Sequence, residues 1–424
     1  MQTTMRTAER RRSRQQSQPV YNVNTRFPSN PTTAVDLALP SMKLAEIPMP
    51  PQMIEGVEVP SSHKATFLRG RPACLLTSTN QKTRRGRRER AATLITARPM
   101  RFLLERLGGW SGVLALNYHR IGDHDGQPWD HALWSASAEE LNQQLATLAS
   151  HAEVINPDEY REAMQAGRGR RVLITFDDGY RDNYEIALPL LRDHGLRATF
   201  FLTTGFLDDP RAAWWDEIAW MVRRAHREMY RAKTIQTDDD LLPSGISFAE
   251  GDHDASIAQL IARYKTLPSD EGELFLDQLA NATGSERCLA SNCEGLWMTW
   301  DMARQIQASG MSIGGHTVTH PVLAQLSGER QQEEITVCAH RLSEELDIKM
   351  KWFAYPVGDH DAFTRTTQDI LRDAGVELAF SFYGGFANPS CWDPLDVPRI
   401  HVGPGLSPKL LYATIALPQV FARS

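Results

Sequence analysis

Residues 170–180 read Arg-Arg-Val-Leu-Ile-Thr-Phe-Asp-Asp-Gly-Tyr. Positions 172–176 are a short apolar run rich in β-branched and aromatic side chains. Such a run marks a strand buried on both faces of a parallel sheet. It stops abruptly at Asp177, Asp178 and Gly179. On a regular strand two adjacent carboxylates point to opposite faces. At a strand end, where Gly179 lets the chain turn, both can reach one cavity. Loops at the carboxyl ends of parallel strands are where α/β proteins put their chemistry. Taken alone, Asp-Asp-Gly reads equally well as a polar turn.

A second stretch weighs against the plain turn. Residues 311–321 read Met-Ser-Ile-Gly-Gly-His-Thr-Val-Thr-His-Pro, a strand-like run and two glycines ahead of His316 and His320. A helical turn here would put both imidazoles on one face, as a divalent metal requires. One carboxylate and two histidines make a three-ligand site with open positions for water and a substrate oxygen.

Together, Thr175-Phe176-Asp177-Asp178-Gly179 and His316-Thr317-Val318-Thr319-His320 resemble the polysaccharide deacetylases of the NodB-homology type, the carbohydrate esterase family 4 pattern. The resemblance runs from about residue 113 to about residue 402. It implies an α/β fold, a deformed (β/α) barrel, and hydrolysis of N- or O-acetyl groups on a sugar polymer. The N-acetyl group of a polysaccharide or glycan is the expected target. It also implies that Asp177 is the catalytic base and that Asp178, His316 and His320 hold a divalent metal. Zn²⁺ suits such ligands best, and Co²⁺ or Ni²⁺ fits the same set.

The family's later motifs are less well kept. A late histidine serves as general acid, and His401 stands at that position. The third motif, Arg-Pro-Pro-Tyr-Gly, is replaced by Phe353-Ala354-Tyr355-Pro356-Val357-Gly358. Ala354 stands where the arginine that orients the base would be, and Arg399 is a candidate substitute. Tyr355 and the backbone N–H near Val357 are expected to meet the substrate. His119 ends the first strand in Tyr118-His119-Arg120 and either lines the site or is structural. Trp214-Trp215-Asp216-Glu217 opens a helix. Its Trp215 either stacks on a sugar or anchors packing. Loss of the third-motif arginine gives weight to a silent carbohydrate-binding module that keeps the metal. A metal-dependent amidase or esterase for another acylated molecule is the rival among enzymes.

Composition sets wider bounds. The chain has 424 residues, a hydrophobic share of 42% and a formal net charge of −6. Nothing in that balance favours nucleic acid or an anionic surface for the chain as a whole. No apolar run reaches the roughly 18 residues that cross a bilayer. The five cysteines include no Cys-x-x-Cys, which argues against a disulfide scaffold or a structural zinc knot.

Three segments are expected. Residues 1–99 carry arginine clusters and prolines with little apolar period, so they read as a disordered extension. It would serve as a basic nucleic-acid arm or a transit peptide, or lie outside the natural protein. Residues 100–424 read as the deacetylase-like domain, opening near Met100. Within it, about 207–298 interrupts the strand–helix rhythm as a helical insert, with its first helix running from Trp214 to about Arg231.

Overall fold

A computed structural model describes residues 78–106, 108–226, 229–230 and 241–422. Its centre is a parallel sheet. β1 (Val113–Tyr118), β2 (Arg171–Phe176), β3 (Thr199–Leu202), β4 (Ser312–Gly315), β5 (Trp352–Ala354), β6 (Leu378–Phe380) and β7 (Arg399–His401) pair in the order β6-β5-β4-β3-β2-β1-β7. Every step is parallel, and Glu153–Val154 pairs with β2 off this path. Val397, just ahead of β7, bridges to Phe380 of β6, so the two edges of the sheet meet. The product is a nearly closed, deformed (β/α) barrel.

The two-residue period of the strands divides the interior. Val113, Ala115, Leu173, Phe201, Ala354 and Phe380 share one buried cluster. The alternate residues Leu114, Leu116, Val172, Ile174 and Phe200 pack with helix residues such as Leu141 and Leu191. The first set turns polar toward the carboxyl ends of the strands. Asn117 follows Ala115, and Thr175 and Asp177 follow Leu173, all three buried. The polar floor of the site is therefore the continuation of the inward row.

Gly314 serves this crowding. A Cβ there would stand 2.6 Å from both a Phe201 ring carbon and the Trp352 carbonyl oxygen. Only glycine lets β4 pass between its neighbours.

The main helices are α1 (Ser78–Ile95), α2 (Arg98–Arg106), α3 (Ala138–His151), α4 (Trp214–Arg223), α5 (His253–Tyr264), α6 (Gly272–Thr283), α7 (Gly328–Leu346) and α8 (Pro408–Ala416). Ser137 and Glu140 close a capping box on α3. α4 stops at Arg223 instead of running to about Arg231. With α5 and α6 it builds a separate core around Ile218, Leu260, Phe275 and Leu279, which also takes in Tyr180 and Phe206.

The amino-terminal side departs from expectation. Residues 1–77 lie outside the described residues, but α1 occupies 78–95 of the stretch read as disordered. Ala92 is fully buried with Leu410, Ala413 and Phe421. Ser407 donates its hydroxyl to Glu89. The apolar stripe consists mostly of alanines between arginines, too small to register as a period. No described helix is long and apolar enough to cross a membrane.

Candidate metal and acyl-transfer site

β2 delivers Asp177 and Asp178 to one pocket because the chain twists at its end. Asp178 adopts φ 75° and Gly179 φ 90°. Five non-glycine residues among those described have positive φ, and three belong to this cluster and its loop: Asp178, Thr317 and His320. Each such conformation costs on the order of 1–3 kcal/mol, and such strain concentrates at functional sites.

His316 and His320 do converge on Asp178, although no helical turn forms. The segment between them is a loop that reverses through Thr317 (φ 66°) and His320 (φ 58°). His316 Nε2 lies 3.4 Å and His320 Nε2 3.5 Å from Asp178 Oδ1. All three residues are buried. Glu334 of α7 fixes the loop by accepting from the Val318 and Thr319 N–H groups and the Thr319 hydroxyl, at 2.8, 2.9 and 2.6 Å. Trp214 donates its indole N–H to the His320 carbonyl at 3.3 Å.

The donor chemistry of this cluster fits a cation. His316 Nδ1 stands 2.7 Å from the Ala354 carbonyl oxygen. A carbonyl only accepts, so Nδ1 carries a proton, and Nε2 is the nitrogen left to face Asp178. Asp178 Oδ1 is buried with no hydrogen-bond partner. Burial raises the Asp178 pKa, but the neighbouring His316, His119 and His320 outweigh it, so the net shift is downward. Burial, with His316 beside it, pushes His320 down to about 3. A carboxylate oxygen and two imidazole nitrogens turned toward one point are the donor set that a divalent ion takes.

Asp177 is held differently. Arg399 Nη1 lies 2.7 Å from Asp177 Oδ1, and Asn117 Nδ2 donates to Oδ2 at 3.0 Å. Arg399 is itself fixed by the Ser381 carbonyl, the Asn117 side-chain oxygen and the Thr175 hydroxyl. Burial raises the Asp177 pKa, but the charges of Arg399 and His316 overcome this and hold it at about 2.

The remaining expected residues divide. The Val357 N–H has no hydrogen-bond partner among the described residues, on a backbone strained at φ 64°. Tyr355 does not face the pocket. Its hydroxyl donates to the Leu395 carbonyl at 2.7 Å and its ring stacks on Phe363. Trp215 offers no face to a sugar either. It is 4% exposed, its ring centroid lies 4.4 Å from that of His320, and its N–H donates to the Tyr180 hydroxyl. Tyr180 donates in turn to Asp216, which burial pushes up to about 7. This buttress behind His320 had no signal in the sequence.

His119 and His401 both pack against the Phe382 ring, at centroid distances of 5.5 and 5.6 Å. Burial lowers the His119 pKa, and Asp178 and Asp177 oppose the shift. His401 is pushed down to about 4 by burial and by His119.

Residues 165–229 and 276–379 match the family described as polysaccharide deacetylase. This region belongs to the polysaccharide deacetylase family. The two matched segments contain Asp177, Asp178, His316 and His320, and the gap between them falls in the insert. YxkH of Bacillus subtilis (strain 168) is 61% identical over 31 residues, 7% of this chain and 11% of that protein. The uncharacterised protein YlxY of the same organism is 30% identical over 82 residues, 19% of this chain and 25% of that one. The chain thus spans between about a tenth and a quarter of the length of these curated relatives. Among solved structures, the deacetylase PplD of Streptococcus pyogenes in complex with acetate is 19% identical, over 72% of this chain and 99% of that one, with a TM-score of 0.47. IcaB from Ammonifex degensii is 21% identical, over 74% and 99%, with a TM-score of 0.43. Arg399 of β7, which pairs with Asp177, lies outside both matched segments.

Proposed function

We propose that this protein is a metal-dependent hydrolase that removes acetyl groups, N-acetyl above all, from a carbohydrate polymer or glycan. The observation that supports it is the pairing of two carboxylates in opposite surroundings. Asp178 faces two imidazole nitrogens, while the adjacent Asp177 is clamped by Arg399 and Asn117. A divalent cation held by Asp178, His316 and His320, Zn²⁺ by preference, supplies Lewis acidity toward the acetyl oxygen and the attacking water.

The chain's own groups do the rest. Asp177, ionised at any ordinary pH, takes the proton of the water that attacks the acetyl carbon. Arg399 keeps that carboxylate charged and aimed. The unpartnered Val357 N–H meets the oxygen on which negative charge develops. His119, one residue past the point where Tyr118 pairs with Phe176 at the end of the Asp177 strand, returns a proton to the departing nitrogen, and His401 shares the Phe382 ring with it. The displaced third-motif arginine is no reason to read a silent binding module, because Arg399 performs that pairing.

The test is acetate release from a panel of N-acetylated glycans by full-length protein, before and after chelation. Acetate release that chelation abolishes and Zn²⁺ or Co²⁺ restores is the expected result. Glycan binding without any acetate release would sink the reading in favour of a binding module.

A further inference from the structure

Eight large apolar side chains are strongly exposed among the described residues, and four of them fall within ten residues of chain: Leu94, Met100, Phe102 and Leu103. A fifth, Val420, adjoins Phe421, whose carbonyl accepts from Arg88 of α1. α2 buries Leu104 against Tyr412 and Ala416 and turns Met100, Phe102 and Leu103 outward.

Charge gathers at the same corner. Arg87, Arg88, Arg90, Arg98, Arg101 and Arg106 are exposed there, against Glu89 and Glu105. That is a surplus of four positive charges on a chain whose formal net charge is −6. Arg101 pairs with Glu105, but Arg87, Arg90, Arg98 and Arg106 make no ion pair among the described residues. Arg106 lies over the exposed Phe102 ring, 5.1 Å from its centroid.

A nucleic acid would take the arginines and leave Phe102 and Leu103 in water. An apolar protein groove would take the leucines and leave the arginines unpaired. A bilayer interface takes both, because phosphates lie directly above acyl chains. We propose that the α1–α2 corner is a docking surface for an anionic lipid bilayer, with Met100, Phe102 and Leu103 at the acyl boundary and Arg98 and Arg106 at the headgroup phosphates.

The topology gives this surface a direction. Arg170, the residue ahead of β2, donates to the Leu104 carbonyl at 2.9 Å, so α2 sits at the amino ends of the strands. Asp177 lies beyond the carboxyl end of the same strand, about 20 Å away at the usual rise per residue. A protein docked by this corner turns its catalytic pocket away from the lipid. The inference does not depend on the reaction proposed above.

The experiment is flotation of the full chain with vesicles of phosphatidylcholine alone, and of equal parts phosphatidylcholine and phosphatidylglycerol. The protein is expected to float with the anionic vesicles only, and to be released by salt, which screens headgroup charge. Phe102→Ser with Leu103→Ser should cut partitioning about tenfold. Arg98→Glu with Arg106→Glu should cut it at least as much, at about fivefold per arginine. Val337→Ser, at an exposed apolar residue on α7, should change nothing. All these side chains are exposed, and unchanged thermal midpoints will show that the variants fold. No flotation, equal flotation with both vesicles, or indifference to both double substitutions would overturn the proposal. So would flotation only after removal of residues 1–77, which would mean that this segment is the natural occupant.

Discussion

Arg399 and Asp177 meet inside the barrel from β7 and β2, the two strands that flank β1, with Nη1 2.7 Å from Oδ1 and both side chains closed to solvent. The pair sets the charge of the carboxylate proposed as the base. A buried carboxylate alone would be driven neutral and useless as a base. With Arg399 beside it, Asp177 stays ionised down to about pH 2.

Replacing Arg399 should therefore move the acid limb of the pH–rate profile upward. In Arg399→Gln the lowering charge is gone and the raising effect of burial remains, so Asp177 protonates at higher pH. Stability follows the same sign. Because the folded pKa lies below the unfolded one, the pair's contribution is complete above about pH 4 and fades as the pH falls toward 2. At neutral pH, Arg399→Gln should cost about 3–5 kcal/mol, as expected for a buried charge left without its partner. Arg399→Lys should restore charge but not the forked geometry, giving partial activity. An acid limb identical to that of the parent in both variants would disprove the coupling.

The paired carboxylates should separate by assay. Asp178→Asn removes a ligand and should lose bound metal. Asp177→Asn should keep the metal and lose about 10²–10⁴-fold in turnover, the usual worth of a general base. Metal content by elemental analysis beside acetate release decides it, and equal metal loss in both would reverse these assignments.

Much of this site was legible because its residues lie close in sequence. Asp177 and Asp178 are neighbours, and His316 and His320 are four apart. The strands were legible from short apolar runs ending in glycine or charge. Arg399 was harder, since it is 222 positions from Asp177 and the contact exists only because the sheet nearly closes. Trp215 and Tyr355 misled for another reason. An aromatic ring with a polar tip reads the same whether a sugar or a neighbouring side chain covers it. The turn between the histidines was misjudged because Thr317 and His320 adopt left-handed backbone that sequence does not favour.

Glu334 is the long-range residue with the clearest consequence. It satisfies three donors of the loop between the metal-type histidines. Glu334→Gln places an amide N–H among those donors. Metal affinity should fall about 10- to 100-fold, the usual range for an outer partner of a ligand. Stability should fall by about 1–3 kcal/mol. A Zn²⁺ titration by calorimetry measures the first, and unchanged affinity would mean that the loop holds itself.

The two imidazoles against Phe382 can be told apart kinetically. His119→Asn should lose about 10²–10⁴-fold in kcat if His119 returns the proton. His401→Asn should lose less than about tenfold. The reverse order would hand the role to His401.

The helix α1 changes what truncation should do. The composition of residues 1–99 suggests that the chain could begin at Met100 without loss. In the structure, that cut removes Ala92 from its cluster with Leu410, Ala413 and Phe421, and with it the Glu89–Ser407 and Arg88–Phe421 hydrogen bonds. A chain beginning at Ser78 keeps all three. It should melt at the same temperature as the full protein and release acetate at the same rate. The chain beginning at Met100 should be destabilised by about 1–3 kcal/mol, since it exposes apolar surface on α8 and strands polar groups that had partners. Its turnover should be unchanged, because the described residues of α1 pack on the closing helix α8. Thermal melts of the three chains, with acetate release at a temperature where all are folded, test both halves. Equal midpoints for the two truncations would mean that α1 contributes nothing to the fold. Lost turnover in the folded shorter chain would mean that the corner it forms reaches the site.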